Sequence, residues 1–232
     1  MKDSTDKHCV SPIHRAIASR RSIRAFLPTQ VPRAIVEELL RLAGTAPSGS
    51  NVQPWQVHVV AGEVRDGLSA ALLAAHKAGE APAREYHYYP LDWRSPYIER
   101  RRATGWGLYS LLGIEKGDRE ASARQHGRNY EFFGAPVGLI FTIDRDMQRG
   151  SWLDFGMFLQ NIMLGARGFA LHTCPQAALA NYPHIVKKHL GIGDEKIIVC
   201  GMALGYADPD ALINQFQPER MKLEEYVTWH GI

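Results

Sequence analysis

Cysteine is scarce in this chain. Only three of its 232 residues are cysteine, and Cys9, Cys174 and Cys200 stand far apart. An odd, scattered set argues against a disulfide framework and fits free thiols in a reducing cytosol. Long apolar runs are missing too. No stretch of 18 apolar residues occurs, so no membrane span is expected. Charge of one sign is not in excess, since Lys and Arg number 27 against 24 Asp and Glu, a net charge of +3. That balance gives no argument for nucleic acid or membrane as a partner. The first ten residues, "MKDSTDKHCV", lack the apolar core of a signal peptide, so a cytoplasmic location is expected.

Several chemical signatures are also absent. There is no paired-cysteine motif and no His-Glu-x-x-His helix, so no metal is expected. His184 and His189 read as a basic surface pattern with Lys187 and Lys188. No Walker-type loop is present, and no G-x-G-x-x-G follows a strand. "GIGDEK" from Gly191 lacks the third glycine and precedes a strand, so it reads as a turn. No Ser-His-Asp set or carboxylate pair stands out.

What is present is an ordinary globular composition, 45% hydrophobic and 22% charged. The length predicts one domain carrying an insertion. Ser11-Pro12 reads as a helix start, and Pro32 opens a second helix whose apolar stripe ends at Gly44. The alternation in "WQVHVVAG" predicts a strand. "APVGLIFTID" and "KIIVCGMALGY" read as buried strands. "SWLDFGMFLQNIMLGARGF" reads as a long helix, apolar nearly all round and therefore central. "HTCPQAAL", residues 172 to 179, reads as a Pro-broken stretch after it. Helices dominate over few, separated strands, which fits an α+β sandwich. Residues 80 to 130, dense in aromatics and arginine, read as an insertion that folds over something and not as a core element. The tail from Asp208 onward is apolar enough to need a surface to cover.

The segment "IASRRSIRAF" carries Arg20, Arg21 and Arg24 around Ser22. A solvated helix end is one reading. The other is an anion site, because guanidinium forks bind phosphate with paired, charge-assisted hydrogen bonds. The loop "APSGSNVQPW" offers small residues and an Asn suited to close approach by a planar ligand. Arg220 stands alone in the tail.

In this order, "RRSIRAF", "APSGSNVQPW", "NYEFFGAPVGLIF", "CPQAAL" and "PERMKLEEYV" resemble the FMN-dependent nitroreductase family, from Ser11 to Gly231. Gln176-Ala177 stands where the enteric members carry Glu-Gly, which resembles the nitrobenzoate-reductase-like branch. The resemblance implies an α-β-α sandwich, a small antiparallel sheet wrapped by helices, in a domain-swapped homodimer with two FMN at the interface. The chain is then one nitroreductase domain over residues 1–232, with a lid at about 80–130 and a partner-embracing tail at about 208–232.

The same resemblance assigns site residues. Arg20 and Ser22, with Arg21 close by, resemble ribityl and phosphate contacts, and Arg220 completes the phosphate site. Arg24 falls near the pyrimidine edge, where a cation favours the reduced flavin. Pro47, Ser48, Gly49 and Asn51 look like the loop that reaches FMN from the partner. Asn129 resembles a contact to the flavin edge or ribityl chain. Pro175, Gln176 and Ala177 resemble the backbone beside flavin N5, with no catalytic side chain needed. Trp93, Tyr97, Trp106 and Tyr109, with Tyr86, Tyr88 and Tyr89, are candidates for an aromatic substrate slot. Arg94, Arg100, Arg101 and Arg102 read mostly as solvated charges. The implied activity is ping-pong transfer of hydride from NAD(P)H through FMN to nitroaromatics or quinones. Three other readings stay open: a reductive deiodinase, for which Glu85 and Tyr89 have suggestive spacing, a flavin-cleaving enzyme, and a non-catalytic FMN-binding protein.

Overall fold

The structure, a computed structural model, describes residues 11–231. Cys9 lies outside them. Helix α1, Pro12–Ser19, opens as the sequence predicts, with Ser11 Oγ accepting from the His14 amide. Helix α2, Arg33–Ala43, begins at Pro32 and buries Val36, Leu39 and Ala43. Strand β1, Gln56–Ala61, leads into helix α3, Gly62–Lys77. Residues 80–96 carry no helix or strand, and helices α4, Tyr97–Leu111, and α5, Arg119–Gly127, follow. Strand β2, Val137–Asp144, helix α6, Arg149–Gly168, strand β3, His172–Gln176, helix α7, Pro183–Leu190, and strand β4, Lys196–Gly205, complete the frame.

The four strands form one antiparallel sheet in the order β1-β2-β4-β3. Alternation along β2 sends Val137, Leu139, Phe141 and Ile143 toward α2 and α6, and Ile140 toward the opposite layer. That second layer is built from α3, α7 and the 3-10 segment Arg128–Gly134, whose Tyr130, Phe132 and Phe133 are buried. Phe132 lies so close to β2 that a Cβ at Gly138 would stand 2.5 Å from its ring. Strand pairing slips by one residue between Phe141 and Thr142, and the bulge turns both Val199 and Cys200 toward the α6 side. The expected α-β-α sandwich is therefore present.

Four expectations change. Residues 172–176 are not a broken stretch but an edge strand. The Thr173 carbonyl faces outward to accept from Ile23, and Pro175, two residues on, faces the same way. Its missing N–H therefore costs no bond to β4. Helix α6 is central but not buried all round: Phe155, Phe158, Ile162 and Ala166 form the buried stripe, while Leu153 is 72% exposed. Lys187 is not a surface charge, being buried against Glu85. The insertion is also not free of the core, because the Tyr86 hydroxyl donates to the Val199 carbonyl of β4.

Candidate functional site

The arginine segment leaves α1 at Arg20 and runs along β3. Ser22 bridges Thr173, and the Ile23 amide donates to the Thr173 carbonyl at 3.1 Å. Ile23 is 2% exposed, so its neighbours Ser22 and Arg24 turn away from the core. The tail is fixed to this segment by the Asp208 amide, which donates to the Ala25 carbonyl at 3.1 Å, and by one side chain. Asn214 Oδ1 accepts from the Arg24 and Ala25 amides at 2.8 and 3.1 Å. Its Nδ2 donates to the Ala25 and Asp208 carbonyls, both at 2.9 Å.

This clamp brings distant residues together. A recess of about 320 Å³ is lined by Arg20, Arg21, Ser22 and Arg24 on one wall and by Phe216, Pro218 and Arg220 on the other. Every ion pair among the described residues lies elsewhere, so none of these four guanidinium groups has a carboxylate partner there. Arg24 Nη1 donates to the Ser22 carbonyl at 3.3 Å, and Arg220 Nη1 donates to the Pro218 carbonyl at 2.9 Å. Clustered like charges without a counter-charge repel one another, which is a cost that an anion removes.

Two further residues back this wall. Arg167, at the end of α6, donates to Ser19 Oγ at 3.2 Å, to the Leu171 carbonyl at 2.8 Å and to His172 Nε2 at 2.7 Å. Burial, then the charges of Arg167 and Arg21, push the His172 pKa down to about 4. The imidazole is thus neutral at physiological pH and serves Arg167 as an acceptor.

The second half of the site lies further along β3. A recess of about 250 Å³ is lined by Pro175, Gln176 and Ala177 together with Tyr86, Tyr88, Val199 and Cys200. Trp152, Phe155, Gly156 and Leu159 of α6 close it, at helical spacing along one face. Thr173 and Gln176 are three steps apart on the strand, a rise of about 10 Å. One strand therefore carries a cationic recess at one end and an aromatic one at the other. Gln176 is 2% exposed, and its Nε2 donates to the Asn129 carbonyl at 2.7 Å. Its Oε1 has no partner among the described residues.

Other expected site residues lie apart from these recesses. Pro47, Ser48, Gly49 and Asn51 flank the other side of α6, where the Gly49 amide donates to Asp154 Oδ2 at 3.0 Å. Ser50, Asn51 and Gln53 there take φ of 50°, 58° and 51°, a strained left-handed backbone. Of the aromatics, only Tyr86 and Tyr88 reach the β3 recess. Trp93 packs under Arg101, whose guanidinium carbon is 4.7 Å from its ring. Tyr97 lies between Arg94 and Arg100 at 4.9 and 5.9 Å. Trp106 and Tyr109 line a separate hollow with Ile98, Arg101 and Arg102 on α4. Glu85 is held by Lys187 Nζ at 2.7 Å and by Arg145, and its Oε2 accepts from the Ile198 amide at 3.1 Å. Burial alone would raise its pKa, but those three bonds lower it overall. A carboxylate so engaged has little left for an amino-acid ligand.

Sequence reasoning missed Asn214, Arg167, His172, Trp152 and Leu159. Asn214 carries no signal, because its role depends on a fold that joins residues 24 and 214. Trp152 and Leu159 are legible only as part of the apolar face of α6.

Comparison fixes the family: the nitroreductase family model matches residues 17–206, and the chain belongs to that family. It is 44% identical to a 4-nitrobenzoate reductase of Pseudomonas putida, covering 93% of this chain and 94% of that one. It is 38% identical to a chloronitrobenzene nitroreductase of Comamonas testosteroni, covering 92% and 94%. Among solved structures, the FMN- and NADPH-dependent nitroreductase NfnB of sphigopyxis sp. strain HMH superposes with a TM-score of 0.91. It is 38% identical, with 95% of this chain and 99% of that one covered.

Proposed function

We propose that this protein is an NAD(P)H-dependent FMN nitroreductase that reduces nitroaromatic acceptors. The observation that carries the reading is the pair of recesses along β3: four arginines free of carboxylates at one end, and an aromatic pocket against Pro175–Ala177 at the other. These residues fit FMN. The guanidinium groups of Arg20, Arg21 and Arg220 and the Ser22 hydroxyl would hold its phosphate dianion. The backbone at Pro175, Gln176 and Ala177 would hold the isoalloxazine. FMN, when bound, supplies the two-electron chemistry.

The chain's own residues do the rest. Arg24 would supply positive charge beside the bound ring, which favours its reduced, negatively charged form. The link from Gln176 to Asn129 fixes the backbone of the β3 end. Tyr86, Tyr88 and Trp152 supply aromatic walls that exclude water and stack a planar acceptor. A second copy of the chain completes the site, bringing its Pro47–Asn51 loop, and its lid aromatics Trp93, Tyr97, Trp106 and Tyr109, to the exposed side. Half-exposed Leu223 and the more open Tyr226 and Trp229 of the tail are the apolar surface such a dimer covers. The support is relatives named for nitrobenzoate and chloronitrobenzene, and a solved neighbour named as FMN- and NADPH-dependent.

The test is direct. The purified protein should show a flavin spectrum, sediment as a dimer, and oxidise NADPH or NADH in stoichiometric proportion to added 4-nitrobenzoate or nitrobenzene. A colourless protein that binds no added FMN would overturn the reading.

A further inference from the structure

The layer of α3, α5 and α7 carries a further hollow, which shares no residue with either recess along β3. It measures about 560 Å³ and is lined by His76, Gly79, Glu80, Pro82, Arg84, His126, Tyr130, Asn181 and Tyr182. Four rings form its aromatic part. His76 lies 5.2 Å from both His126 and Tyr130, and Tyr130 lies 5.5 Å from Tyr182, centroid to centroid.

A polar chain runs from the core to its surface. Asn181 is 5% exposed, and its Nδ2 donates to the Tyr130 hydroxyl at 2.8 Å. Its Oδ1 accepts from Arg84 Nε at 2.6 Å. The same residue's carbonyl accepts from the Ala83 amide at 2.8 Å, so the loop bearing Arg84 is tied at two points. Arg84 is thus held by its Nε edge. No ion pair among the described residues includes it, and the neighbouring Glu85 is engaged by Lys187 and Arg145. The acid at the rim, Glu80, lies 3.0 Å from His184 Nε2.

A fixed guanidinium beside a cluster of rings matches one ligand chemistry. The guanidinium offers paired donors to a carboxylate, and the His76 and His126 rings, in front of the buried Tyr130 and Tyr182, offer flat surface to an aromatic body. The imidazoles agree with this. The His126 pKa lies below its ordinary value because its surroundings strip water from it and because His76 and Arg84 add positive potential. A bound anion offsets the second effect. We infer that this hollow is a binding site for small aromatic carboxylates, held at Arg84 and stacked on the His76–His126 side.

The probe is sodium benzoate, titrated into the FMN-loaded protein with ¹³C-labelled histidine and followed by NMR. The His126 and His76 signals should move saturably, and the His126 pKa should rise. Sodium acetate, which has the carboxylate without the ring, should bind at least about tenfold more weakly. Arg84→Gln should weaken benzoate binding by one to two powers of ten, the range for losing a charge-assisted hydrogen bond. If that variant fails to fold, Arg84→Lys serves, since it keeps the charge but not the fork, and should still lose about tenfold. Binding that leaves both histidine signals unmoved, that persists in the Arg84 variant, or that acetate matches would overturn the inference. None of these readouts depends on turnover, so failure here is distinct from failure of the nitroreductase reading.

Discussion

The molecule holds two groups of cations that differ in their counter-charge. Around Glu85, Lys187 and Arg145 share a carboxylate, with side-chain exposures of 9% for Lys187 and 14% for Glu85. Around Ser22, four arginines share none among the described residues. The first group is satisfied within the fold and ties the start of the lid to β4 and α7. The second leaves its satisfaction to a ligand. An internally paired cluster is read as structure, an unpaired one as a site.

The largest effect should come from the paired cluster. Glu85→Ala leaves buried Lys187 with only the fully exposed Asp194, 3.7 Å away, as counter-charge, at a cost of about 3 kcal/mol. For a chain of this size that lowers Tm by roughly 6–12 °C. Calorimetry checks it, and an unchanged Tm would remove the contrast. Next come Arg20→Ala and Arg220→Ala. Each should reduce FMN affinity by about one to two powers of ten, through loss of roughly 1.5–3 kcal/mol. The apoprotein Tm should barely change, which fluorescence titration and melting together resolve.

Acid should separate the two groups as well. His172 has its pKa depressed to about 4, so the unfolded chain binds more protons between about pH 4 and 6.5. Stability is therefore full above pH 6.5 and falls as pH drops toward 4. Discounted for partial solvent access, the loss is on the order of 1–2 kcal/mol. The Glu85 contribution, from a lowered carboxyl pKa, is present above about pH 4.5 and goes only at lower pH. Urea melts at pH 7 and pH 5 should show this histidine part, to which His126 and His58 also contribute because burial lowers their pKa values too, and His172→Gln should reduce it.

The smallest effect is electronic. Arg24→Ala should retain oxidised FMN fairly well yet lower its midpoint potential by tens of millivolts, since about 30 mV corresponds to 1.4 kcal/mol for two electrons. Potentiometry decides. A variant that loses FMN and keeps its potential would place Arg24 at the phosphate end.

The sequence by itself determined the elements that depend on local chemistry. Ser11-Pro12 set the start of α1, Pro32 and Gly44 bounded α2, and period-two alternation marked β1. Buried strands β2 and β4 showed as apolar runs, and the arginine cluster showed as excess charge in five residues. Tertiary structure decided everything that needs two distant segments. β3 was hidden because Pro175 counts against a strand unless its outward-facing position on the sheet edge is known. Lys187 looked like a surface residue until Glu85, 102 positions earlier, was placed beside it. Asn214 became a clamp only when the tail met residues 24 and 25. Local patterns report what a residue does to its own backbone, while pairing, burial and the counter-charges of a cluster are set by which parts of the chain the sheet brings together.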